Sequence, residues 1–83
     1  LDVDPVKELQ ELCGRKAYSV TYTLTHEDRV PSVVAEVLTR GAAYKASRTG
    51  LTKLDAKKLA AKAVLREVKA AEAYISQTGV QVL

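Results

Sequence analysis

Phenylalanine, tryptophan and methionine are absent from this 83-residue chain, and cysteine and histidine occur once each, as Cys13 and His26. A lone thiol closes no intrachain disulfide, which excludes the disulfide-stapled secreted scaffolds. Two soft ligands do not make a zinc site, so neither a metal nor any cofactor is expected. There is no Ser/His/Asp set, no carboxylate or His/Cys cluster and no glycine-rich phosphate loop, so the chain is expected to be non-catalytic. No run approaches the roughly 18 apolar residues of a membrane span, and no signal peptide is evident. Internal repeats and low-complexity tracts are also missing. The expectation is an intracellular chain, nuclear or cytoplasmic, without membrane contact. A beginning at Leu1 suggests a piece of a longer protein.

What is present is an apolar fraction of 47%, mostly Val, Leu and Ala with four Tyr, and a charged fraction of 28%. That balance suits a single small globular domain rather than a disordered tail. Lys and Arg number 13 against 10 Asp and Glu, a net charge of +3 that is compatible with a polyanionic partner without demanding one.

Helical spacing of Val6, Leu9, Leu12 and Cys13 predicts a helix from Asp4 to Cys13, with Asp4 as N-cap, Pro5 at the first helical position and Gly14 as C-cap. From Ser19 to Thr25 the chain alternates, with Val20, Tyr22 and Leu24 on one face and Ser and Thr on the other, the pattern of a half-buried strand. His26-Glu27-Asp28-Arg29 reads as a polar loop. A second strand is expected over Ser32 to Leu38, with Val33, Ala35 and Val37 inward, followed by a tight turn at Thr39-Arg40-Gly41 and a weaker third strand from Ala42 to Ser47. The short connections imply antiparallel hairpins. Thr52 then caps a long helix from Lys53 to Ser76, with Asp55 as an acidic capping-box partner and Ala56, Ala60, Ala63, Val64, Val68 and Ala71 as its apolar face. Val80-Gln81-Val82-Leu83 reads as a segment able to add an edge strand. The fold class is α+β, in the order α-β-β-β-α: a three-stranded antiparallel sheet with two helices packed on one face. Residues 1–83 form one domain, with a core over about 4–69 and an extended helix and tail over 70–83.

These residues resemble the double-stranded RNA-binding domain family. Pro5-Val6-Lys7-Glu8-Leu9-Gln10-Glu11 is similar to the family's opening Pro-Ile/Val-x-x-Leu-Gln-Glu, and Pro31-Ser32-Val33-Val34-Ala35-Glu36-Val37 to its Pro-x-Phe-x-Val-x-Val strand. Thr52-Lys53-Leu54-Asp55-Ala56-Lys57-Lys58-Leu59-Ala60-Ala61-Lys62-Ala63-Val64-Leu65 resembles its Ser-Lys-Lys-x-Ala-Lys-x-x-Ala-Ala-x-x-Ala-Leu helix start. The first helix is also similar to C-terminal domains of plant Dicer-like and ribonuclease-III-like proteins.

The resemblance implies binding of double-stranded RNA by shape and backbone, as a module of a larger RNA-processing or RNA-silencing protein. A-form RNA hides its bases in a deep, narrow major groove and exposes 2′-hydroxyls in a shallow minor groove, so a reader touches two successive minor grooves and the phosphates between, over about 16 base pairs. By this resemblance Gln10 and Glu11 enter one minor groove, with Glu11 accepting from a 2′-hydroxyl. The loop carrying His26 and Arg29 enters the next, and Lys53 and Lys57 meet the phosphates. Lys58 and Lys62 fall on another flank and read as solvated, Cys13 as a small core residue, and Tyr44 as packing rather than base stacking.

The chain departs from the pattern in three places. Leu54 stands where the family has a second lysine, the loop between the first two strands is short with Arg29 in place of a His before Pro31, and Lys45-Ala46-Ser47 replaces a glycine-rich stretch. These departures support an alternative: a module of the same fold for protein contact or dimerisation, through the C-terminal extension or the sheet edge, with weak or no RNA affinity.

Overall fold

The computed structural model describes the backbone of residues 4–82 and the side chains of residues 4–26 and 28–73. Five elements follow one another: α1 (Pro5–Lys16), β1 (Ser19–Glu27), β2 (Val30–Leu38), β3 (Ala43–Thr49) and α2 (Lys53–Val82). The three strands form one antiparallel sheet in the order β1-β2-β3, and both helices pack on one face of it. The expected fold class is therefore observed.

α1 starts as its sequence implies. Asp4 lies outside the helix in extended conformation, and its carboxylate accepts the Val6 N–H at 3.0 Å. The helix does not stop at Gly14. It runs to Lys16 and closes on Ala17 in the left-handed region (φ 59), where the Tyr18 N–H donates to the Cys13 carbonyl at 2.9 Å. Such a closure usually uses glycine, because a Cβ crowds the next carbonyl. The end is set here by where the chain must turn into β1, so Gly14 sits inside the helix, exposed and with open space around it.

The strands are longer than their alternating cores suggest. Glu27 pairs with Val30, which leaves only Asp28 and Arg29 to turn the chain, both with positive φ (50 and 67). Two consecutive left-handed residues make a type I′ turn, whose twist matches that of the flanking strands. His26 is thus the penultimate residue of β1, opposite Pro31, rather than part of a four-residue loop.

Register stacks the inward side chains in rows. Val20, Val37 and Tyr44 form one, Tyr22, Ala35 and Ala46 the next, and Leu24, Val33 and Arg48 the third. Val33, Ala35, Val37 and Ala46 are buried, whereas Leu24 is 42% exposed beyond the helices' cover. Leu9, Leu12 and Cys13 of α1 complete the core together with Ala56, Ala60, Ala61, Val64, Leu65 and Val68 of α2. Each fully buried Leu or Val contributes roughly 1.5–3 kcal/mol. Ala61 and Leu65 lie outside the single stripe read from periodicity; they are buried because α2 is covered by α1 as well as by the sheet. Ala63 and Ala71 are only half-buried. Two ion pairs clasp the helices, Glu8 with Lys69 and Lys16 with Glu72 (3.5 Å), and the Tyr18 hydroxyl donates to Glu72 at 3.3 Å.

α2 continues as helix to Val82, so Val80–Val82 of the segment read as able to add an edge strand is helix; Leu83 and the side chains of residues 74–82 lie outside the described ones. No described helix is long and apolar enough to cross a membrane.

Candidate nucleic-acid interface

Three exposed parts of the chain carry the residues of interest. On α1, Leu9, Leu12 and Cys13 turn inward, which leaves Lys7, Gln10, Glu11 and Gly14 on the outward side at helical spacing. Gln10 and Glu11 are exposed, and Glu11 makes no ion pair among the described residues. Its neighbour Glu8 is different: its carboxylate is engaged by Lys69. The pairing of Glu8 and Lys69 assigns one flank of α1 to packing and leaves Gln10 and Glu11 free for a ligand.

The second part is the β1–β2 hairpin, with His26 and Arg29 both exposed at its tip. The third is the start of α2. Thr52 caps it, with its Oγ1 accepting the Asp55 N–H at 3.1 Å and its carbonyl accepting the Ala56 N–H at 3.0 Å. Amides of the first turn keep no partner within a helix, so this end attracts anions. Lys53 is exposed at that end and Lys57 lies one turn on. Asp55 puts a negative charge in the same turn, and Leu54, 58% exposed, takes the place between the cations.

The hairpin and the start of α2 emerge at the same end of the sheet. Ser32 pairs with Thr49, and the Gly50 N–H donates to the Pro31 carbonyl at 3.2 Å, so the chain leaving β3 is tied to the chain entering β2. His26, Arg29, Lys53 and Lys57 are gathered there by topology. Gln10 and Glu11 belong to the other helix, joined to this end through the packing of α1 on α2.

Lys57 is more constrained than Lys53. It is half-buried, and its Nζ lies 4.7 Å from the centroid of the Tyr22 ring. Burial raises the Tyr22 hydroxyl above its ordinary pKa, with smaller contributions from Cys13 and Asp4, so the phenol is neutral at physiological pH. The Cys13 thiol is raised by burial and then by Glu72, which keeps it protonated and a poor nucleophile, in keeping with a core role. Tyr44 is half-buried against the core, as packing requires. Sequence reasoning missed Gly50, whose only signal was its place just before the Thr52 cap, and Tyr22, whose alternation gave burial but no link to Lys57.

The family model for the double-stranded RNA binding motif matches residues 5–68. The chain is also similar to two proteins of Oryza sativa subsp. japonica, Endoribonuclease Dicer homolog 2a and Endoribonuclease Dicer homolog 2b, at 47% identity over 68 residues in each case. Those matches take in 82% of this chain but only 5% of each relative. The family match spans α1, all three strands and α2 as far as Val68, and it takes in Gln10, Glu11, the hairpin tip, Lys53 and Lys57. The chain belongs to the double-stranded RNA binding motif family, and it is a non-catalytic module that binds duplex RNA.

Proposed function

We propose that the chain grips an RNA duplex at three points: Gln10 and Glu11 in one minor groove, His26 and Arg29 in the next, and Lys53 and Lys57 on the phosphates between them. The observation that carries this reading is the Gly50–Pro31 hydrogen bond, which holds the hairpin tip and the cationic start of α2 at one end of the sheet. Glu11 accepts from a 2′-hydroxyl and so favours RNA over DNA. Lys53 and Lys57 bind without regard to sequence, by displacing counterions.

The two-residue turn shortens the hairpin's reach, and Leu54 removes one cation from the phosphate contact. Affinity for a single domain is correspondingly modest, and its value lies in the parent. The 47% identity to Dicer homologues supports a place in a larger Dicer-like protein of RNA processing or silencing, inside the cell in nucleus or cytoplasm. There the module raises the effective concentration of duplex at a tethered nuclease.

Titration of a labelled RNA duplex with wild type and with the Lys53→Ala/Lys57→Ala variant tests the reading. Loss of roughly 10-fold or more in affinity is expected, as for two phosphate contacts; equal affinity removes the phosphate role. A second reading, protein contact or self-association, is supported by Leu51, Leu54 and Leu59, which are 93%, 58% and 47% exposed around the start of α2. Sedimentation at high concentration tests its self-associating form, which a strict monomer excludes.

A further inference from the structure

We propose that Tyr22 is a positioning residue for RNA binding: its ring holds the Lys57 ammonium at the phosphate-facing start of α2. This rests on the phosphate role of Lys57 given above.

Lys57 Nζ stands 4.7 Å from the ring centroid, inside the range of about 6 Å over which a cation is drawn to an aromatic face. Tyr22 is the one large side chain of its row, since its neighbours across the sheet are Ala35 and then Ala46. Its hydroxyl is buried and finds no partner among the described residues. A phenol in that state is worse than a phenyl ring for stability alone, so hydrogen bonding by the hydroxyl does not account for the aromatic residue here. The ring does: it packs against the core and turns its negative face to Lys57.

The consequence for binding is entropic. A free lysine samples many rotamers and loses them when it settles on a phosphate. Lys57 has already given up part of that freedom against Tyr22. An ammonium carries three donors, and the ring covers one side of it, which leaves the others for phosphate oxygens. Among the described residues Lys53 has no such support, and it is exposed. Lys57 is therefore the better organised of the two phosphate ligands, and Tyr22 acts through it without touching RNA.

The test is a duplex-RNA titration across a salt series with wild type, Tyr22→Phe, Tyr22→Leu, Lys57→Ala and the Tyr22→Leu/Lys57→Ala double variant. Tyr22→Phe keeps the ring and is expected within about twofold of wild type, whereas Tyr22→Leu weakens binding by about 3-fold, the size of a cation–π contact at the edge of solvent. In the Lys57→Ala background Tyr22→Leu adds no further loss. In free wild-type protein, ring current shifts the Lys57 ε-methylene protons upfield, a measurement that decides even where Tyr22→Leu does not fold. Wild-type affinity of Tyr22→Leu while Lys57→Ala weakens binding overturns the proposal, as does an undiminished loss in the double variant or an unshifted ε-methylene. Wild-type affinity of Lys57→Ala instead removes the phosphate role itself, and the proposal with it.

Discussion

Gly50 lies so close to the first turn of α2 that a Cβ on it would stand 2.6 Å from the Ala56 amide nitrogen and 3.0 Å from its Cα. Both are backbone atoms and have no rotamer through which to move aside. The close approach brings the hairpin end of the sheet against the cationic start of the helix. Gly50→Ala is expected to destabilise the fold by about 1–3 kcal/mol, the usual cost of overpacking. Urea denaturation measures this, and duplex affinity falls with it as the first turn shifts.

Leu54 offers the opposite opportunity. It is 58% exposed between Lys53 and Asp55, so a longer cationic side chain fits without repacking. Leu54→Lys is expected to strengthen duplex binding several-fold at low salt and to steepen the log–log salt slope by about one unit, as for one added phosphate contact. Fluorescence anisotropy at four or five salt concentrations checks both.

Arg29 separates stability from binding. It occupies a left-handed position (φ 67) that glycine adopts without crowding. Arg29→Gly creates the favoured Asp-Gly type I′ pair and is expected to stabilise the hairpin by about 0.5–1 kcal/mol. Duplex affinity is expected to fall, because the cation proposed to face the groove is gone. A melting temperature that rises while affinity drops is the expected signature; unchanged affinity takes Arg29 out of the interface.

The helix and strand order was readable in the sequence because each element carries its own period and the Asp4 and Thr52 caps mark the helix starts. Element ends were less readable. Gly14 looks like a stop, yet the helix ends on Ala17, because tertiary packing rather than glycine's freedom decides where the chain turns into β1. The Asp28-Arg29 turn was hidden because neither residue is glycine and four polar residues in a row look like a loop. The stretch Val80–Val82 has strand-like composition but continues α2. As for the site, residue types and helix faces were visible locally. What brings Lys57 over Tyr22, or ties Gly50 to Pro31, is a long-range pairing that no local pattern encodes.

Alkaline pH should loosen the fold. Cys13, Tyr18 and Tyr22 have pKa values raised above their ordinary 9.0 for the thiol and 10.0 for the phenols, chiefly by burial. The folded state therefore holds these protons more tightly than the unfolded chain does. Stability from this source is fully present below about pH 9 and declines as pH rises past the unfolded values towards the folded ones. Tyr22→Phe removes one of the three groups, so urea midpoints measured from pH 8 to pH 11 should fall less steeply in that variant than in wild type.

The central claim is that one set of surfaces meets the duplex: the outward side of α1, the hairpin tip and the first turn of α2. Mapping amide shifts of ¹⁵N-labelled protein on titration with an RNA duplex of about 16 base pairs, the length such a domain spans, tests it most directly. The expected shifts cluster at Lys7–Gly14, His26–Val30 and Leu51–Lys57, with little change at Thr21, Thr23 and Ser47 on the uncovered face of the sheet. Shifts centred on that sheet face, with α1 and the start of α2 silent, would contradict the account.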